Sequence, residues 1–521
     1  MSLRESSIAL LPPAKRSRAA RAPRDRPYVT LVAACLAAGA LSLLVLPVAS
    51  GADAWAWSLW GREVLSLELD PTNGPSWKPL PVVFTTPLAL LGEAAPALWA
   101  VIARAGALLL LAVAFRVARR LAGPVAGAFA VLALLATDLA DYAASADSEP
   151  LTAALLLWAF ERHLDRRRGH ALALLAIAAL GRPEAWPLTG LYAGFLWLRE
   201  PRLRVAATAA VALAPALWLG PPWLATGDPL SAGERANRLT EASLAAADVQ
   251  ALAVLGLAAG LVALPVLAAA GVAVVAALAA ARGGLRVPAL PEARPTLWLA
   301  AAACAWVAIV GVLTQAGFTG NERYLVPAMA SVCVLGGVGA GAIARTLGGR
   351  NRARTSLVVL ALLALAAPFG LARVRTLAGF RTEALERARV IAGLEPVVAR
   401  AGGRDGVLAC GGPAVTRPGT QATLAWELDL PLSAVERPWP PDPRLEIHPP
   451  TVVFSRAERR FDLLAQKEDL IAPGLEPAPL TSRVGGWRVF VVAEAGAEGA
   501  TAVAARCRPT ARAEVSAVPA R

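Results

Sequence analysis

Between Tyr28 and Gly370 the chain runs in long apolar stretches broken by short, Arg-rich connections. The clearest stretches are Val205 to Leu219, Ala251 to Ala281, Pro295 to Thr314, Val326 to Ala344 and Thr355 to Ala372. They are apolar throughout rather than alternating at period two, the pattern of helices surrounded by lipid or by other helices. In hydrocarbon every backbone donor must be satisfied within the segment, so an open chain crosses as helices. The first run, Val29 to Val48, ends in a cleavage-like Val48-Ala49-Ser50. It exceeds the roughly 7 to 15 residues of a signal-peptide core and reads as an uncleaved anchor. Counting onward gives about eleven spans. The expected fold is an all-α polytopic membrane bundle over residues 28–372, with an outer loop at 50–93.

One pair of apolar runs, around Ala171 to Trp197, is short. Ala171 to Leu180 is about half of a spanning helix, and it stops at Gly181-Arg182-Pro183-Glu184-Ala185-Trp186. Pro183 is expected to end the helix there. Arg182 and Glu184 then sit at a turn near the outer face, where they either form a structural ion pair or face a polar cavity.

After Ala372 the pattern changes. Residues 373–510 are polar, Pro-rich and charged with both signs, enough for one small α/β domain outside the membrane. A helix is expected over Thr382 to Ala401 and strands over Gly406 to Cys410, Thr451 to Phe454 and Trp487 to Ala493. Residues 511–521 are expected to be disordered, and 1–27 form a basic tail.

Composition agrees with the pattern: 56% of residues are hydrophobic and 17% charged, beyond what a soluble core needs. The net charge of +13 is informative through its distribution. Arg116, Arg119, Arg120, Arg166 to Arg168, Arg199 to Arg204, Arg282 to Arg294 and Arg345 to Arg354 fall on one set of connections, with the basic tail on the same side. The excess of Lys and Arg marks that side as cytoplasmic, and an odd number of spans leaves the C-terminal domain outside a plasma-type membrane. No basic stripe interleaved with aromatics is present, so nucleic acid is not an expected partner. Cys35, Cys304 and Cys333 lie in spans, and Cys410 and Cys507 are the one pair able to form a disulfide. C-x-x-C, H-E-x-x-H, P-loop and dinucleotide motifs are all missing, and His163, His170 and His448 do not cluster.

The candidate chemistry therefore lies on the outer connections. Asp53 follows the first anchor, with Trp57 and Trp60 at i+4 and i+7 on one side of an interfacial helix. The tryptophans suit an aromatic belt, which has no use for a carboxylate. Lys78, in Trp77-Lys78-Pro79-Leu80, suits a phosphate or snorkels at the interface. Asp147-Ser148-Glu149-Pro150, just after Asp138 and Asp141, either orients an acceptor, holds a divalent ion, or caps a helix that has Pro150 in its first turn. In Asn321-Glu322-Arg323-Tyr324-Leu325-Val326-Pro327, Arg323 either grips a phosphate or pairs with Glu322.

An acid after the first span, a Lys78-Pro79-Leu80-Pro81 element, Arg104 at the start of the next span, an acidic second outer loop, the Arg182-Pro183-Glu184 turn and Glu322-Arg323-Tyr324-Leu325 together resemble the GT-C membrane glycosyltransferases. Protein O-mannosyltransferases and aminoarabinose transferases belong to that group. The resemblance covers residues 28–372 and implies a polyprenyl-phosphate sugar donor, an extracytoplasmic glycan, glycolipid or protein acceptor, inversion at the anomeric carbon and no required cofactor. It implies Asp53 as general base, Lys78, Arg323 and Arg104 as donor-phosphate ligands, and Asp147, Glu149, Arg182, Glu184, Glu322 and Tyr324 as residues that organise the acceptor and the site. Relatives often carry two adjacent acids where this chain has Ala52-Asp53-Ala54, and a Lys-Pro-Pro-Leu order. A transporter or flippase of envelope lipids is the alternative, against which stand the absence of an internal repeat and the location of the charges at the outer face. A non-catalytic envelope scaffold would leave Asp53 and Lys78 without a purpose.

Overall fold

The computed structural model describes residues 26–231, 233, 249–282, 292–416, 419–436, 450–456, 474–495 and 499–507. Most of the basic tail 1–27 and all of 511–521 lie outside the described residues. The helices of the bundle are α1 (Arg26–Ser42), α2 (Ala52–Ser66), α3 (Pro79–Leu88), α4 (Ala95–Leu135), α5 (Leu139–Ala144), α6 (Glu149–Leu164) and α7 (Arg168–Gly181). They continue with α8 (Ala185–Arg199), α9 (Arg204–Thr226), α10 (Gln250–Gly260), α11 (Leu264–Ala281), α12 (Ala293–Gln315), α13 (Val326–Gly348) and α14 (Arg352–Ala392).

Among the described residues, 6 helical segments are long and apolar enough to cross a membrane, fewer than the expected count of about eleven. Part of the difference lies in α4. Its backbone leaves helical geometry at Ala122 and Gly123, where Gly123 takes φ +82° before Pro124. The two arms fold back on each other so closely that a Cβ at Gly127 would lie 2.8 Å from the Phe115 ring. The short pair around Ala171 to Trp197 is the hairpin of α7 and α8, broken at Arg182-Pro183-Glu184 as Pro183 dictates.

The centre of the bundle is α13, buried along almost its whole length. Its glycines let backbones meet: a Cβ at Gly341 would stand 2.8 Å from the Ala122 carbonyl of α4, and one at Gly339 would collide with the Ala269 carbonyl of α11. Close backbone approach through small residues is how helices gain van der Waals contact where lipid removes the hydrophobic drive. In contrast, α14 is exposed over its apolar half and runs unbroken through the change in composition at residue 372.

The outer domain holds β1 (Ala414–Thr416), β2 (Val435–Glu436), β3 (Thr451–Arg456), β4 (Leu475–Pro479) and β5 (Trp487–Glu494) in the order β2-β1-β3-β5-β4. Here β1 is parallel to β2 and β3, and the pairs β3 with β5 and β5 with β4 are antiparallel. Its helices are α15 (Leu394–Arg400), α16 (Gly403–Leu408), α17 (Gln421–Glu427) and α18 (Ala500–Cys507). The expected strands at Thr451 to Phe454 and Trp487 to Ala493 fall within β3 and β5. The strand expected over Gly406 to Cys410 is instead the end of α16 and its turn, and the sheet takes up the chain at Ala414. Gly402 and Gly403, at φ +90° and +65°, reverse the chain and start this helix. Val407 and Cys410 then fall three apart on its buried face, so an apolar run that reads as a strand serves one helical side. Cys410 and Cys507 form a disulfide, Cα atoms 5.0 Å apart, that joins this turn to α18. The helix expected over Thr382 to Ala401 is the end of α14 together with α15. Trp55, Trp57 and Trp60 of α2 share one core with Trp426, Phe454 and Trp487 of the outer domain. The helix carrying Asp53 is thereby clamped between bundle and domain.

Candidate active site

Asp53 lies in the first turn of α2, where a carboxylate complements the unpaired N–H groups of the helix start. The Gly51 N–H donates to the Ser145 carbonyl at 2.8 Å, which brings the start of α2 to the connection between α5 and α6. The Thr85 hydroxyl donates to the Trp57 carbonyl at 2.6 Å and docks α3 on α2. Lys78 is the extended residue just before α3, with Pro79 opening the helix. It turns inward: its Nζ is 2.7 Å from Glu149 Oε1 and 5.0 Å from the Trp57 ring centre.

Glu149 begins α6 and is fully buried, followed by Pro150 in the first turn. Ser148 occupies the capping position, yet its side chain makes no cap bond and its buried hydroxyl has no partner among the described residues. Gly181 ends α7 against α6 and α3, where an added Cβ would collide with Thr152 and with Leu80. That close approach sets Arg182 beside Glu149, with Nη1 at 3.2 Å from Oε1. Arg182 also holds Glu184 by a fork of two bonds, Nε to Oε2 at 3.0 Å and Nη2 to Oε1, and its guanidinium lies 3.8 Å from the Tyr324 ring centre.

Arg323 completes the cluster. The Asn321 side chain accepts its backbone N–H at 3.1 Å and starts the 3-10 turn Glu322–Leu325. The Trp306 indole fixes that turn by donating to the Tyr324 carbonyl at 2.8 Å. Arg323 Nη2 is 2.6 Å from Asp53 Oδ2, its Nη1 is 3.3 Å from Asp147 Oδ1, and its Nε is 4.0 Å from Glu149 Oε1. The separate positions thus form one chain of charge, Asp53 to Arg323 to Asp147 and Glu149, then to Lys78, Arg182 and Glu184. Side-chain exposure rises along it from 0% at Glu149 through 11% at Asp147 to 18% at Asp53 and 22% at Arg323, so the last two face whatever enters. Glu149 Oε2, Arg323 Nε and the Ser148 hydroxyl are buried without a hydrogen-bond partner among the described residues. Burial pushes the Asp147 carboxyl up; Arg323 and Lys78 oppose this, while Glu149 and Asp53 add to it.

Two expected residues stand apart. Arg104 donates to the Ser42 hydroxyl at 3.1 Å and to the Leu46 and Pro47 carbonyls at 2.8 and 3.0 Å, which braces the elbow after α1. Glu322 does not pair with Arg323; it lies toward Asp138 and Asp141. Asp138 itself pairs with Arg373 of α14 at 2.5 Å. One supporting residue escaped the sequence reading. Arg387, also on α14, donates to the Ala49 carbonyl at 3.3 Å and the Ser145 hydroxyl at 2.7 Å, and so stitches together the loops that carry Asp53 and Asp147. Nothing in its local sequence distinguishes it from the other arginines of that segment.

Two apolar cavities lie in the bundle, and the second of them borders the cluster. One of about 430 Å³ lies among α6, α7, α8, α12 and α13, with Phe160, Tyr192, Trp298, Trp306 and Pro327 in its wall. The other, about 410 Å³, lies among α2, α3 and α9 and is lined by Trp77 and Pro79, the two neighbours of Lys78. Among the described residues no group of three or more His, Cys, Asp or Glu side chains is arranged to hold a metal ion.

Solved structures of ArnT from Cupriavidus metallidurans, one bound to undecaprenyl phosphate and one in the apo state, are similar to this chain. Each covers 90% of this chain and 98% of its own, with a TM-score of 0.48 and identities of 15% and 16%. No family model and no curated protein matches the sequence. At this degree of likeness the chemistry has to be argued from the ionic cluster itself.

Proposed function

We propose that the chain is an integral-membrane glycosyltransferase that moves a sugar from a polyprenyl-phosphate donor to an extracytoplasmic acceptor hydroxyl, with inversion at the anomeric carbon. The observation that carries this reading is the convergence of Asp53, Lys78, Asp147, Glu149, Arg182 and Arg323 from separate segments, with an apolar cavity lined by the two neighbours of Lys78 beside them.

Arg323 takes Oδ2 of Asp53, and Oδ1 remains to accept a proton. As the acceptor hydroxyl attacks the anomeric carbon, its proton passes to Asp53 and the bond from that carbon to the phosphate oxygen breaks, leaving the electron pair on the lipid phosphate. Growing negative charge on the leaving group is stabilised by fixed cations. Arg323 presents a planar fork for this, and Lys78 adds a point charge from below. Glu149 keeps Lys78 and Arg182 in position, Glu184 and Tyr324 hold Arg182 from its other sides, and Asp147 orients the acceptor beside Arg323. The donor lipid follows one of the apolar cavities into the bilayer. All the charge this scheme needs resides on the chain, so it requires no cofactor. In this reading Arg104 shapes the elbow after α1 and Glu322 lies outside the reacting set.

Two features support an outer location. The basic connections fall at the other side of the bundle, and the Cys410–Cys507 disulfide suits an oxidising compartment.

The test is incubation of the purified protein with a panel of lipid-linked sugars and cell-envelope extract, with the transferred sugar and its acceptor read by mass spectrometry. Asp53→Asn keeps the size of the side chain and removes its basicity, and transfer is expected to fall by about 10² to 10⁴ in a protein that still inserts. Turnover retained in this variant rejects the base, and lipid movement across sealed vesicles without sugar transfer makes the protein a transporter.

A further inference from the structure

A third cavity, about 720 Å³, lies where the bundle meets the outer domain, among α2, the 3-10 turn Ala89–Ala94, α15 and α17. It is separate from the ionic cluster. Trp55, which lines it, comes two residues after Asp53, and at about 100° per residue that places it around the far side of α2.

Its floor is aromatic and its rim acidic. Trp55 and Trp426 are 6% and 5% exposed and meet edge to face, ring centres 6.2 Å apart. The Trp426 indole donates to Glu93 Oε2 at 2.9 Å. The Trp55 indole N–H is buried with no acceptor among the described residues, a donor whose isolation costs free energy until something accepts from it. Around these rings stand Glu93, Glu395 and Glu427, none of them in a salt bridge among the described residues. Arg62 is already engaged: it pairs with Asp429 at 2.9 Å and its guanidinium lies 4.8 Å from the Trp426 ring centre. Burial, then the charges of Glu395 and Glu93, push the Glu427 carboxyl up to about 7.

A bare metal ion fits poorly, because the carboxylates are not gathered as a ligand set and the cavity is far larger than an ion. Indole faces suit the C–H face of a sugar ring and also attract an ammonium group. We propose that this cavity binds a protonated amine carried on a hydroxyl-bearing, sugar-sized body, with the ammonium against Glu427, Glu395 and Glu93 and a hydroxyl oxygen accepting from the Trp55 indole. The site goes beyond the transferase reading and does not depend on it.

Calorimetric titration of the full chain in detergent with the glucosamine disaccharide tests it, set against the same disaccharide with both amines acetylated. The free amine is expected to bind about tenfold tighter than the acetylated form, and Glu427→Gln to remove about that factor. Trp55→Phe keeps the ring but lacks the N–H, and is expected to weaken binding by about threefold to tenfold. Glu395→Gln, at an exposed rim position, provides the same reading if Glu427→Gln lowers the unfolding temperature. Equal binding of the two sugars, binding indifferent to both glutamates, or displacement by magnesium chloride at equimolar concentration overturns the assignment. Asp53→Asn is expected to retain this binding, so failure of sugar transfer and failure of the pocket are read separately.

Discussion

The two ends of the bundle each carry a knot of arginines and acids, and they differ in kind. At the end away from the outer domain, Arg116 bonds Glu161 at 2.9 Å and the Tyr28 hydroxyl at 2.5 Å, while Arg120 and Arg162 both reach Asp165. Arg162 and Arg116 also stack on Tyr28, at 3.9 and 4.6 Å from its ring centre. These contacts join α1, α4 and α6, helices already packed together, and the side chains of Arg116, Arg120 and Asp165 are about a third exposed to water. At the other end, Glu149 is fully buried, is held by Lys78 and Arg182 and approached by Arg323, and keeps one oxygen unpartnered. Burying charges costs several kcal/mol per ion unless each is paired. The inner knot also buries Glu161 with one oxygen that accepts no hydrogen bond among the described residues; what sets the outer knot apart is a fully buried carboxylate shared among three cations from three separate segments, Lys78, Arg182 and Arg323.

The widest predicted separation between the two knots is catalytic. Asp53→Asn should lower sugar transfer by about 10² to 10⁴, whereas Asp165→Asn, an acid of equal size at the far knot, should leave it within about twofold, both measured as turnover of a lipid-linked sugar. Next comes the cation. Arg323→Ala should cost about 10² in turnover, and Arg323→Lys should recover only part of it because an ammonium lacks the planar fork. The stability comparison is of similar rank. Glu149→Gln leaves Lys78 and Arg182 short of a buried partner and should lower stability by about 3 to 5 kcal/mol. Asp165→Asn, with Asp165 and its partner Arg120 each about a third exposed, should cost less than about 1 kcal/mol, both read from thermal unfolding in detergent.

The smallest expected effect concerns Glu63, on the face of α2 beneath the outer domain. Its carboxyl is pushed up to about 7 by burial, against the N–H bond it accepts from Asp70 at 3.0 Å. Folded protein binds this proton near pH 7, and the unfolded chain only near the ordinary carboxylate value. The contribution of Glu63 to stability is therefore largest in acid and declines as pH rises toward about 7. The unfolding temperature should drop between pH 5 and pH 8, and less so in Glu63→Gln.

The lipid-scale pattern and the individual polar positions at the outer connections were legible in the sequence, because ions beside apolar runs stand out. Their meeting was not. Lys78 finds Glu149 across 71 residues and Arg323 finds Asp53 across 270, distances over which no periodicity informs. Arg104 shows the opposite limit: its place at the start of a span matches a phosphate ligand, while its guanidinium is occupied by carbonyls of the α1 elbow. In the outer domain, the runs of β3 and β5 bounded by Gly and Pro were readable, but Gly406 to Cys410 was not, because two preceding glycines turned a strand-like run into a helix. A glycine reversal also accounts for part of the difference in span count, since α4 is one helical segment folded into two arms.

The uninterrupted α14 has a mechanical consequence. Its 41 residues span about 60 Å, with Pro368 inside the helix, exposed over the first half and pinned by Arg387 to the connections bearing Asp53 and Asp147. A tilt of the apolar half would be felt, through Arg387, at the two loops that this arginine ties together.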